Sequence, residues 1–159
     1  FDYVLCKESY HHFCRPMLAL YEMIRVARKA VVLVEPQDPY ADAPLVPGPA
    51  VAMYETGGNY IYSLSKRELE KAACGLGLPA LAFKNFCDIY LEGVETALAT
   101  EDNPAFTHLR RAVERLESRC ARGEDKYNML MAVIFIEPPS QECLMEFIGH
   151  GWDVMSIGG

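Results

Sequence analysis

The chain lacks a surplus of positive charge: 15 lysines and arginines stand against 22 aspartates and glutamates in 159 residues, a formal charge of −7. That excludes a general nucleic-acid binder, because neutralising phosphates takes a basic surplus. It leaves room for a local basic patch. No apolar run approaches the roughly 18–20 residues that span a bilayer. The longest, residues 129–136, fits a buried strand. No basic-then-apolar leader opens the sequence, so nothing in it points to secretion. The six cysteines, at 6, 14, 74, 87, 120 and 143, contain no CxxC pair. In a chain this apolar they are expected to be reduced, mostly buried thiols of a cytoplasmic protein rather than a disulfide framework. There is no internal repeat and no low-complexity tract. A hydrophobic share of 51% excludes a disordered chain.

What is present has the size of one domain, and the chain opens inside an element. Residues 1–5, FDYVL, suit a strand in a largely buried sheet, so the sequence is expected to be the downstream part of something longer. A polar turn follows at 6–13. Met17, Leu20, Tyr21, Ile24 and Ala27 then recur at helical spacing over 15–29, with Pro16 in the first turn. Residues 30–34 form an aliphatic strand ending in Glu35-Pro36. Strand, helix and strand in this compass make a βαβ unit with parallel strands. Residues 36–58 hold five of the ten prolines and read as a long connection.

Ser65-Lys66-Arg67-Glu68 is a capping box with Leu64 and Leu69 as a hydrophobic staple. The helix it opens ends at Gly75, Gly77 and Pro79. A strand is expected at 81–86 and a helix from Asn103-Pro104 to Gly123. Its Arg110, Arg111, Arg115, Arg119 and Arg122 alternate with Glu114 and Glu117, which reads as a solvated face. The continuous apolar stretch 127–136 predicts a strand buried on both sides, and 141–150 a final short helix.

FDYVLCKESYHHF, then a helix ending EMIRVARK, then AVVLVEP resembles the middle of a class I S-adenosylmethionine-dependent methyltransferase of the type 11-like kind. In that family a strand with an early Asp runs into a turn that often ends in a His pair. The next helix carries a Glu ahead of Arg-Val, here Glu22, Arg25 and Val26, and the following strand ends in Glu-Pro. The match is dense over 1–36 and thinner beyond. The resemblance implies an α/β, Rossmann-like sheet, incomplete, holding strands 4 to 7 with flanking helices. The helix at 65–76, the strand at 81–86 and an antiparallel strand at 127–136 would fill its later places. The last two strands of the family are joined by a short hairpin, so 91–125 would be a helical insertion. The whole chain, 1–159, would be the C-terminal part of one methyltransferase domain.

The family's glycine-rich turn and the acidic residue that holds the cofactor ribose belong to units that would precede Phe1, about 90 residues of βα structure. The chain is therefore expected to be the substrate-side half of an enzyme whose cofactor is S-adenosylmethionine, and to bind that cofactor poorly alone. The missing N-terminal half, or a partner chain, would lie against the first strand.

In an open α/β sheet the site lies beyond the carboxyl ends of the strands, which puts 6–12 and 35–40 at its rim. By the resemblance, the backbone at Cys6 and Lys7 would lie against the methionine part of the cofactor, and Glu8, Ser9, His11 and His12 would face a small-molecule acceptor. His11 or His12 can serve as a general base near neutral pH; alternatively one packs on the following helix and the other is solvated. Glu35 either orients the acceptor or bonds neighbouring backbone amides. Tyr40, with Met53 and Tyr54, either forms a lid or packs within the loop. Cys6, His11, His12 and Cys14 are spaced C-x4-H-H-x-C, which is not a paired-ligand pattern. Adjacent histidines on a strand-like backbone also diverge, so no metal is expected. The rival to the enzyme is a non-catalytic α/β interaction module docking on a partner through its first strand, an open edge that invites pairing.

Overall fold

The structure, a computed structural model, describes residues 1–38 and 60–157. The opening segment forms β1 (Tyr3–Lys7), α1 (Pro16–Val26) and β2 (Ala30–Pro36), and β1 and β2 are parallel, with Tyr3 beside Ala30 and Lys7 beside Val34. The helix stops three residues short of the expected Lys29. Ala27 leaves it in an extended conformation, and the amides of Arg28 and Lys29 are drawn to the carbonyls of Phe1 and Asp2 at 2.8 Å each, which starts β2 in register with β1.

Next come α2 (Lys66–Leu76) and β3 (Ala80–Phe86). Both halves of the capping box form at Ser65 and Glu68, the staple residues Leu64 and Leu69 are fully buried, and Gly77 ends the helix at φ 65°, a conformation that costs glycine little. The helix α3 (Pro104–Ala121) is capped by the Asn103 side chain, which accepts from the amides of Ala105 and Phe106. Then follow β4 (Met129–Phe135), α4 (Gln141–Gly149) and β5 (Asp153–Ser156). No described helix is long and apolar enough to cross a membrane.

The five strands make one mixed, open sheet in the order β1-β2-β4-β3-β5. β4 lies between β2 and β3 and is antiparallel to both, with Val133 facing Val32 on one side and Ala82 on the other. The alternation of strand side chains sorts the core into two layers. Val31, Leu33, Leu81, Phe83, Leu130, Ala132 and Ile134 pack with Leu20 of α1 and with Leu69 and Ala73 of α2. On the opposite face the small residues Ala30, Ala80 and Ala82 and the larger Val133 and Phe135 meet Leu144 and Phe147 of α4 and Trp152. Phe147 stands edge-on between the rings of Phe135 and Trp152.

Two expectations are corrected here. The first strand is not largely buried: it is an edge strand, and although Val4 and Cys6 join the core, Tyr3 and Leu5 are 63% and 68% exposed. They point to the sheet face that α4 covers only at its other end. The cysteines divide evenly, with Cys6, Cys87 and Cys120 buried, Cys143 half-buried and Cys14 and Cys74 exposed, all as free thiols. β5, which pairs antiparallel with β3, had no counterpart in the sequence reading.

Candidate functional site

The parallel register of β1 and β2 brings their carboxyl ends together, with Glu35 one position past the last paired residue, Val34. The ladder continues for one more bond, from the Glu8 amide to the Val34 carbonyl at 2.9 Å. Glu8 then takes φ 47°, a left-handed conformation rare for a residue with a side chain, and the chain turns sharply. The turn runs into a short 3-10 segment, Tyr10–His12, closed by bonds from the His12 amide to the Ser9 carbonyl and from the Phe13 amide to the Tyr10 carbonyl.

Glu35 holds this turn. Its side chain is wholly buried, so its charge must be met by protein groups. Oε1 accepts from the amide of Ser9 at 2.9 Å, from the amide of Tyr10 at 3.0 Å and from the thiol of Cys6 at 3.4 Å. Oε2 lies 2.8 Å from Nδ1 of His11, which is 7% exposed. An ionised carboxylate only accepts, so Nδ1 carries the hydrogen, and in the neutral ring the lone pair falls to Nε2. A histidine steered by a buried carboxylate in this way is equipped to take a proton at Nε2, with the carboxylate stabilising the resulting imidazolium.

A second set of groups, which the sequence did not single out, supports the turn. Tyr10 is fully buried, edge-on to Phe13 and Tyr62 with ring centroids 6.4 and 6.2 Å away. The Tyr62 amide donates to the His11 carbonyl at 3.1 Å, and the Tyr62 hydroxyl donates to the carboxylate of Glu68, the same residue that completes the α2 capping box. Burial and then that hydrogen bond push the Tyr62 phenol up to about 12. Nothing in a tyrosine's spacing signals such a brace.

The candidate residues divide accordingly. His11, Glu35, Cys6 and the backbone of Ser9 form one buried cluster, and Ser9 Oγ donates to the Lys7 carbonyl at 2.8 Å. Glu35 is an anchor for amides and for His11 rather than an acceptor contact, because both its oxygens are engaged. Lys7 and Glu8 pair with each other at 3.4 Å on the exposed rim. His12 is exposed, its ring centroid 4.1 Å from that of His11. The two rings do not diverge, because the backbone beneath them is 3-10 and not extended. Tyr40, Met53 and Tyr54 lie outside the described residues.

The Cys6 thiol is pushed up to about 11, first by burial and then by the charge of Glu35 and the hydrogen bond to it. It is therefore a neutral donor, not a nucleophile, at neutral pH. Because the folded value lies above the ordinary 9.0, the stability this thiol contributes is whole below about pH 9 and lost as pH rises through about 11. Urea denaturation of Cys6→Ser between pH 8 and 11 should show a shallower alkaline loss than the parent. Parallel curves would refute the assignment.

At the same edge of the sheet opens a cavity of about 620 Å³, lined among others by Gln37, Asp38, Ser65, Lys66, Arg67 and Tyr127. Gln37 keeps its Oε1 buried without a hydrogen-bond partner among the described residues. Comparison of the chain with protein-family models, with curated proteins and with solved structures gives no match.

Proposed function

We propose that this chain does the acceptor-side work of methyl transfer from S-adenosylmethionine to a small molecule, as the substrate-side half of a class I methyltransferase fold in the cytoplasm. The observation that carries the reading is the position of the His11–Glu35 pair, at the carboxyl edge of a sheet whose one inserted strand, β4, runs antiparallel between β2 and β3. The order β1-β2-β4-β3 is the order the resemblance implies for the later strands of that fold. β5, beyond β3, departs from it.

In this reading His11 accepts the acceptor's proton at Nε2 while Glu35 holds the ring and its charge. A small-molecule acceptor fits the cavity at the same edge of the sheet, which has the volume of an ordinary small-molecule site and is lined by Gln37 and Asp38, two and three residues past Glu35. Gln37, whose buried Oε1 has no hydrogen-bond partner among the described residues, lines that cavity. The described residues do not make a cradle for the cofactor. The amides of Glu8, Ser9 and Tyr10, which would be the donors at this edge, already bond Val34 and Glu35. S-adenosylmethionine brings a methyl group already activated on a positive sulfur, and holding it falls to structure on the far side of β1.

The test is calorimetric titration of S-adenosylhomocysteine into this chain and into the chain extended by whatever its gene encodes in frame upstream. Micromolar binding by the extended protein alone is expected. The extended protein with labelled methyl donor and a fractionated small-molecule extract should then lose about 10²–10⁴-fold in turnover on His11→Ala, the range for removing a general base. An extended protein that ignores S-adenosylhomocysteine, or a His11→Ala enzyme with unchanged turnover, would overturn the assignment.

The interaction-module reading draws on one specific observation: the open edge of β1 carries Tyr3 and Leu5 exposed, with Phe1 82% exposed beside them. On that reading the chain is a well-behaved monomer as it stands, and replacing Leu5 by Lys abolishes partner capture without touching stability. The enzyme reading predicts instead that this edge is covered in the extended protein.

A further inference from the structure

Away from the His11 cluster, two cysteines from distant parts of the chain meet. Cys87 is the first residue after β3, and Cys120 is the last residue but one of α3. Their sulfurs are 3.6 Å apart, with the residues 4% and 7% exposed. The backbone on both sides is fixed. The Cys87 amide donates to Glu117, one turn earlier on α3, at 3.3 Å. Asp88 and Asn128 exchange two hydrogen bonds, amide to Oδ1 at 2.9 Å and Nδ2 to carbonyl at 2.8 Å, which holds the strand end against the start of β4. At the helix end, Gly123 takes φ 73° and its amide bonds the Cys120 carbonyl. A disulfide needs the sulfurs to close by about 1.5 Å, within reach of side-chain rotation and a small shift of the helix end.

We propose that Cys87 and Cys120 are a built oxidation site that closes to an intramolecular disulfide when the protein meets a hydroperoxide. Cys120 is among the residues lining the cavity described above, and Cys87 is not, so a molecule the size of hydrogen peroxide approaches the pair from the Cys120 side. The Cys120 thiolate attacks one peroxide oxygen, the O–O bond breaks, and hydroxide leaves to become water. The resulting sulfenic acid on Cys120 is attacked by the Cys87 sulfur, which forms the S–S bond and expels a second water. The two thiols lose two electrons and two protons, and the peroxide is reduced to two waters.

Burial and the neighbouring Cys120 thiol push Cys87 up to about 12, so closure is slow at neutral pH and speeds up as the pH is raised. The effect on the fold is local. Cys120 is the one buried residue of α3; Phe106, Leu109, Val113 and Leu116 are half-buried. The bond therefore ties the end of a loosely seated, arginine-rich helix to the rim of the cavity.

The experiment is treatment of the full chain with excess hydrogen peroxide at pH 8, followed by intact mass and non-reducing peptide mapping. The expected product is a monomer in which the Cys87 and Cys120 peptides are joined and together lighter by about 2 Da, whatever oxygen the exposed cysteines and methionines gain. It should carry one linkage between the Cys87 and Cys120 peptides, be reversed by dithiothreitol, and melt about 5–10 °C higher than the reduced protein. In Cys87→Ser, Cys120 should instead gain one or two oxygens. Linkage of either cysteine to Cys14, Cys74 or a second chain would overturn the proposal. So would survival of both thiols under conditions that oxidise the exposed cysteines, or oxygen addition to Cys120 in the parent without linkage.

Discussion

Replacing Glu35 by alanine should remove about 3–5 kcal/mol of folding stability, the loss associated with breaking a buried, multiply bonded charge. The substitution leaves the amides of Ser9 and Tyr10 and Nδ1 of His11 without the acceptor they share in a dry interior. Against a total stability of about 5–15 kcal/mol, such a loss leaves a large unfolded fraction at moderate urea. Glu35→Gln separates structure from chemistry. Its carbonyl can still accept from the two amides, so the stability cost should fall to about 1–2 kcal/mol. Its amide nitrogen, however, donates to Nδ1 and reverses the tautomer, leaving Nε2 protonated and unable to act as a base. Urea midpoints followed by circular dichroism check the first expectation, and turnover of the extended enzyme checks the second. An alanine variant within about 0.5 kcal/mol of the parent would show that Glu35 is not the anchor of the turn.

The parts of the fold that rest on local rules were legible in the sequence. Ser65 and Glu68 form the capping box with a staple of Leu64 and Leu69 because four residues carry the whole signal. Asn103-Pro104 start α3 and the apolar run at 129–135 lies in the sheet interior for the same reason. The parallel pairing of β1 and β2 followed from the length of the unit between them. β5 was not legible: four residues, DVMS, are too few for an alternation to stand out from a loop. The open edge at the first strand was expected, but which of its side chains face outward was not, since Tyr3 and Leu5 are as apolar as Val4 between them, which joins the core.

The site shows the same division. His11 and Glu35 were both candidates, but that Glu35 faces inward onto the backbone of the turn depends on Glu8 adopting φ 47°, and no pattern in CKESYHHF announces a left-handed glutamate. The turn looked like an extended, polar connection. It is instead a 3-10 segment with Tyr10 and His11 buried, because three backbone or thiol donors and one imidazole find a single carboxylate. Tyr62, which ties the far side of the turn to α2, is brought there by tertiary structure alone.

Tyr10 is the other position where one side chain decides the site, and two substitutions there should diverge. Tyr10→Ala removes a wholly buried ring held between Phe13 and Tyr62, so about 3–5 kcal/mol of stability should go. The loss leaves a cavity under His11 and frees the turn from the segment at Tyr62. Tyr10→Phe keeps the ring and gives up a hydroxyl whose contact is the Met17 sulfur at 3.5 Å, a weak acceptor, so its cost should stay within about 1 kcal/mol. The phenol also gives the pair a pH signature. Burial holds it above its ordinary 10.0, so the protonated form stabilises the fold fully below about pH 10 and that contribution drains away as the pH climbs higher. Tyr10→Phe has nothing to ionise there and should lose less stability than the parent above pH 10. Denaturation curves of the parent and both variants at pH 7.5 and 11 read all three effects. Equal losses for Ala and Phe at pH 7.5 would mean that the hydroxyl, not the packed ring, holds His11 in place.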